Sequence, residues 1–116
     1  PNNTTFLPTA FNGSTPRDGG LITGNLGIAI SLDNTNFSSD PTAFLTNVAD
    51  ADRGKFFAAG KTPSTDCSRS NSGINNNGAV VVDILNTNNT NPDTIPTTND
   101  NDKSYYGFIR FKVKVD

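Results

Sequence analysis

The stretch Tyr105-Tyr106-Gly107-Phe108-Ile109-Arg110-Phe111-Lys112-Val113-Lys114-Val115 decides the fold class. Ile109, Phe111, Val113 and Val115 alternate with Arg110, Lys112 and Lys114. Successive side chains of a strand point to opposite faces. Period two therefore predicts a strand with the apolar set on a core face and the cations in water. A one-residue slip in pairing would bury three cations, so the register is well specified. The cationic stripe reads better as a solvated face that resists edge aggregation than as a patch for anionic polymers.

Working outward, Gly78–Leu85 predicts a second strand. Val80, Val82 and Ile84 share one face, and Val81, Asp83 and Leu85 the other. Both faces are largely apolar, which suits a central position in a sheet or cover by a loop. Leu26–Leu32 predicts a third, with Leu26, Ile28, Ile30 and Leu32 opposite the small residues Gly27, Ala29 and Ser31. Shorter strands are expected at Thr4–Leu7 and Lys55–Ala58. Thr42–Ala51 is the best helical candidate, one to two turns long, with Asp40 as N-cap and Pro41 at its first position. Ser64–Asn77 and Asn86–Lys103 read as long polar loops. Several strands between turn clusters predict an all-β chain, a single sandwich domain over residues 1–116.

Composition supports this reading. Of 116 residues none is Glu, Gln, His, Met or Trp; Asn occurs 17 times and Thr 15 times. Helix formers are scarce, while turn and strand formers dominate. Without His and with one Cys, zinc, haem and iron–sulfur centres have almost no ligands. Ser-His-Asp and Cys-His catalysis are excluded within this chain. An Asp pair could still act, but the expectation is that the chain is not an enzyme. The net charge of −2 offers no basic surface for nucleic acid outside the last strand. No apolar run approaches the ~18 residues of a membrane-spanning helix. No signal peptide is visible, so the sequence is taken for a mature or excised segment.

Candidate sites are weighed against plainer roles. Asp100 with Asp102, then Asp50 with Asp52, are the candidate calcium ligands. Calcium wants about six to eight oxygens, and alternating Asp residues supply them. Turn formation by Asp is the competing and favoured role. Otherwise no cofactor is expected. Cys67 has no partner within the chain, so it is either a free thiol or a bridge between chains. Sequons stand at Asn2, Asn3, Asn12, Asn36 and Asn88, a number near chance for so Asn- and Thr-rich a chain. Lys55, beside Phe56 and Phe57, is the candidate for an internal Lys–Asn isopeptide bond, with a snorkelling surface lysine favoured. Phe56-Phe57 and Tyr105-Tyr106 each offer one ring to the core and one outward, which suits packing better than a sugar platform.

Three segments resemble one family. Pro1-Asn2-Asn3-Thr4-Thr5-Phe6-Leu7-Pro8 looks like the opening strand of bacterial, cyanobacterial-type conserved-repeat surface domains of the immunoglobulin-like class. Asp50-Ala51-Asp52-Arg53-Gly54-Lys55-Phe56-Phe57-Ala58-Ala59-Gly60 is similar to their Asp-rich middle. Tyr106-Gly107-Phe108-Ile109-Arg110-Phe111-Lys112-Val113-Lys114-Val115 resembles their closing strand. The resemblance implies an immunoglobulin-like β-sandwich, structural or adhesive, without catalytic residues. In that family one or two strands precede the first of these segments. The sandwich is therefore expected to be incomplete and completed by a strand from another subunit or chain segment. The functional expectation is an extracellular, cell-surface filament or stalk built from copies of the chain. Phe6, Leu7, Ile109, Phe111, Val113 and Val115, with Cys67, are the candidate interface. The alternatives are an adhesin or carbohydrate-binding module that takes surface glycans through its loops and a calcium ion, and a phage or virus fibre or decoration protein.

Overall fold

The computed structural model describes residues 3–31, 40–61, 63, 75–83 and 107–116. They form seven strands: β1 (Thr4–Phe6), β2 (Leu26–Ser31), β3 (Ala43–Thr46), β4 (Gly54–Phe57), β5 (Ala79–Val82), β6 (Phe108–Phe111) and β7 (Val113–Val115). The strands pair into a three-stranded sheet in the order β3-β2-β6 and two two-stranded sheets, β1-β7 and β4-β5. Every strand pairing is antiparallel. The chain is all-β, with several antiparallel sheets compatible with a β-sandwich.

β2 is the centre because its sequence can be covered on both sides. Ile28 lies opposite Leu45 on β3 and Phe111 on β6, and Ile30 lies opposite Ala43 and Ile109. Opposed residues of antiparallel strands share a face, so these six form two apolar rows. Ile28, Ile30, Ala43 and Leu45 make the buried cluster, and Phe6, Val80 and Val82 pack against it. Ala29, on the other face, is fully buried beside Phe44, whose ring meets that of Phe11 at 5.6 Å. The small residues on this face thus allow the close packing expected of them. Gly27 sits where the β2–β3 register shifts. A Cβ there would lie 2.6 Å from the Phe6 ring and would also strike the Asn47 side chain, so only glycine lets Phe6 close over the strand.

Two expectations are corrected here. The helix expected over Thr42–Ala51 is instead strand β3 followed by bends. Ala43, Leu45 and Thr46 are buried while Phe44 turns to the other face, and the Thr42 N–H donates to the Ile30 carbonyl at 2.8 Å. A three-residue apolar run, Ala43-Phe44-Leu45, carries too little periodicity to separate helix from strand, and pairing with β2 decides it.

The second correction concerns the last strand. It is interrupted at Lys112, with β6 joining β2 and β7 joining β1, and its apolar set is not buried. The register confirms the predicted face, since Ile109 and Phe111 oppose Ile30 and Ile28. Yet Ile109 remains 46% exposed, Phe111 50%, Val113 44% and Val115 76%. Alternation fixes which way side chains point; it does not supply a second layer to cover them. The other strands lie close to their expected places, although Leu32, Ile84, Leu85, Tyr105 and Tyr106 fall outside the described residues.

Candidate functional site

The half-open apolar face of β6 and β7 runs into a groove. Phe6 pairs with Val113 across β1-β7, and Phe111 precedes Val113 by two residues. Across from them stand Phe56 of β4 and Ala79 and Val80 of β5. The Phe6 and Phe56 rings stack at 4.0 Å between centroids, with their planes 11° apart. Phe111 tilts toward Phe6 at 6.4 Å. The space enclosed is about 330 Å³. Its lining side chains are apolar apart from Thr4 and Asn77. Among the described residues no ionisable side chain lines it. Such a groove can bind an apolar side chain by burial.

Four of the candidate interface residues line this groove or its continuation: Phe6, Phe111 and Val113 form its wall, and Ile109 extends the apolar row. Val115 continues the row beside Thr4. Leu7 is half-buried, and its N–H donates to the Lys112 carbonyl at 3.0 Å. Cys67 lies outside the described residues.

A second apolar feature was missed by the sequence reading. Between glycines, in Gly19-Gly20-Leu21-Ile22-Thr23-Gly24, Leu21 and Ile22 project into water, Ile22 at 87% exposure. Val48, on the loop after β3, is exposed as well. The loop is nonetheless well held. Arg17 donates to the carbonyls of Leu21 (2.6 Å) and Gly24 (3.3 Å), the Gly24 N–H closes a turn onto the Leu21 carbonyl, and the Leu21 N–H donates to Asp50 Oδ2 at 3.0 Å. Two adjacent aliphatic residues framed by glycines were the available signal.

The Asp50 and Asp52 pair fastens the same end of the molecule. Asp50 Oδ2 also accepts the Thr46 hydroxyl at 2.6 Å, and Asp50 Oδ1 accepts the Asp52 N–H. Asp52 accepts the Thr46 N–H at 2.6 Å and the Gly54 N–H at 2.8 Å. Each carboxylate oxygen therefore already serves a donor of the protein, the turn-forming role weighed for these residues. Among the described residues no group of three Cys, His or acidic side chains converges as a metal site. Asp100 and Asp102 fall outside the described residues.

The pair carries opposite pKa shifts. Burial pushes the Asp52 carboxyl up, against its two backbone N–H donors and with help from the Asp50 charge. For Asp50 burial also pushes up, but the Thr46 hydroxyl and the Leu21 and Asp52 N–H groups outweigh it, and the net shift is down. The folded state therefore gains stability as Asp50 ionises below the ordinary value of 3.8 and loses it as Asp52 ionises above that value. The cost of Asp50→Asn should grow as pH rises through the window just below 3.8. That of Asp52→Asn should shrink as pH rises through the window just above it. Urea midpoints across the acid range check both, and parallel slopes would refute the assignment.

The remaining candidates occupy ordinary positions. Lys55 lays its ammonium 4.5 Å from the Phe57 ring centroid. Asn12 is committed locally: its amide donates to Asn25 Oδ1 and its Oδ1 accepts the Leu26 N–H. Asn3 is exposed, while Asn2, Asn36 and Asn88 lie outside the described residues. Among the described residues no helix is long and apolar enough to cross a membrane. No protein family, curated protein or solved structure matches this chain.

Proposed function

We propose that this chain is a non-catalytic structural subunit or repeat of an extracellular, cell-surface filament or stalk. In this reading it is an immunoglobulin-like sandwich of the conserved-repeat kind, and its copies associate by β-strand packing or strand exchange. One observation carries the reading. The apolar row Ile109, Phe111, Val113 and Val115 stays about half open and leads into a groove walled by phenyl and aliphatic groups. Exposed contiguous apolar surface of this kind marks association sites. The composition supports it too, because a chain without His or Glu has fewer means of acid–base chemistry. A sugar-binding module is less well supported: Phe6 and Phe56 spend their ring faces on each other, leaving less of a flat platform for a pyranose. Negative-stain electron microscopy of the native protein tests the proposal, with uniform fibres expected.

A further inference from the structure

We infer that Asn77 is a site of self-modification, where the Gly78 amide nitrogen closes a ring on the Asn77 side chain and the residue becomes aspartate or isoaspartate. The inference is independent of the self-assembly reading above. Asn-Gly occurs twice in the chain, at Asn12-Gly13 and Asn77-Gly78. Ring closure is least obstructed at such pairs, because glycine has no Cβ to hinder close approach to its backbone. Sequence alone does not separate the two pairs; their surroundings do.

Asn12 is held at both ends of its amide. Its Nδ2 donates to Asn25 Oδ1 at 3.0 Å, and its Oδ1 accepts the Leu26 N–H at 2.8 Å. Turning the amide carbon onto the Gly13 nitrogen breaks these bonds, and the N–H of the fully buried Leu26 loses its acceptor. Asn77 has the opposite setting. It is exposed on the lining of the groove, and among the described residues no hydrogen bond holds its side chain. Gly78 stands at a φ of 87°, just before β5 pairs with β4 at Ala79, and no described carbonyl takes its N–H. Nearby Asn75, by contrast, spends its amide on the carbonyls of Phe57, Ala58 and Lys61.

The reaction needs only water. The Gly78 nitrogen sheds its proton and bonds to Asn77 Cγ. The Cγ–Nδ2 bond breaks, and the proton leaves with the ammonia. Holding nucleophile and carbonyl on adjacent residues makes this step effectively unimolecular. Water then opens the succinimide at either carbonyl, which gives aspartate or isoaspartate. The product places a carboxylate on a lining that has no ionisable side chain among the described residues. The protein thereby gains a more acidic form whose groove is charged.

Peptide mapping of the full chain after incubation at mildly alkaline pH tests this. Fragmentation places each amide-to-acid mass gain, and anion exchange resolves the acidic form. In the folded protein Asn77 should convert at least about tenfold faster than Asn12, whose side-chain bonds must first break. In guanidinium, where Asn12 loses its partners, the two should convert at comparable rates. Isoaspartate should appear beside aspartate at position 77, and Asn77→Ser should remove the main early acidic form. An Asn77 amide that persists in the folded chain would overturn the assignment. So would Asn12 converting as fast as Asn77 in the folded protein. Aspartate without isoaspartate would mean direct hydrolysis and overturn the part given to Gly78.

Discussion

Asp18→Ala should destabilise the fold by about 3–5 kcal/mol, a large part of the roughly 5–15 kcal/mol a domain of this kind possesses. Arg53 Nε donates to Asp18 Oδ2 at 2.8 Å, and the two side chains are 0% and 2% exposed. Removing the carboxylate takes a short charge-assisted hydrogen bond from a guanidinium held out of water. Replacing both residues together tells a different story. Asp18→Leu combined with Arg53→Met removes both desolvation costs at once, and the double variant should lie close to the wild type. Denaturant midpoints with an unchanged slope check the comparison. If the single variant cost under 1 kcal/mol, the pair would not be the fixed buried contact described, since that is the range of exposed pairs.

Leu45→Ala should cost about 2–5 kcal/mol. Leu45 is fully buried in the row it shares with Ile28. The same site makes a sharper, paired prediction. Gly54 opens β4 directly over Leu45, and a Cβ at position 54 would stand 2.7 Å from the Leu45 Cβ. Gly54→Ala should therefore cost about 1–3 kcal/mol through overpacking. In the Leu45→Ala background the contacts with Leu45 Cδ1 (2.9 Å) and Cγ (3.3 Å) are gone while the Cβ at 2.7 Å remains, so the cost of Gly54→Ala should shrink without vanishing. A double-mutant cycle reads this coupling; additive costs would mean that the two residues do not meet.

How much of this was legible beforehand follows from which signals are local. The alternation at Ile109–Val115 and the small-residue face of Gly27, Ala29 and Ser31 are period-two signals, and the strands stand close to where these place them. The strand at Ala43–Thr46 was misread because Ala-Phe-Leu after Asp-Pro fits a helix start equally well, and the pairing that decides it comes from β2. The open face of β6 and β7 was illegible for a deeper reason. Periodicity reports direction, whereas burial depends on what another part of the chain places opposite. The Asp18–Arg53 pair spans 35 positions, and nothing local links the two residues. The turn-capping role of Asp50 and Asp52 was legible as a type; its particular donors, Thr46, Leu21 and Gly54, come from three different segments. The Leu21–Ile22 pair stands between glycines in the sequence, but only exposure in the folded chain distinguishes it from a core element.

The central claim is that this all-β chain is a building block that binds its own kind through apolar surface it leaves open. Negative-stain electron microscopy of the native, undenatured protein tests it most directly. Uniform fibres with a regular axial repeat are expected. Discrete small particles, unchanged at high protein concentration, would contradict it and turn attention to the groove as a site for a different molecule.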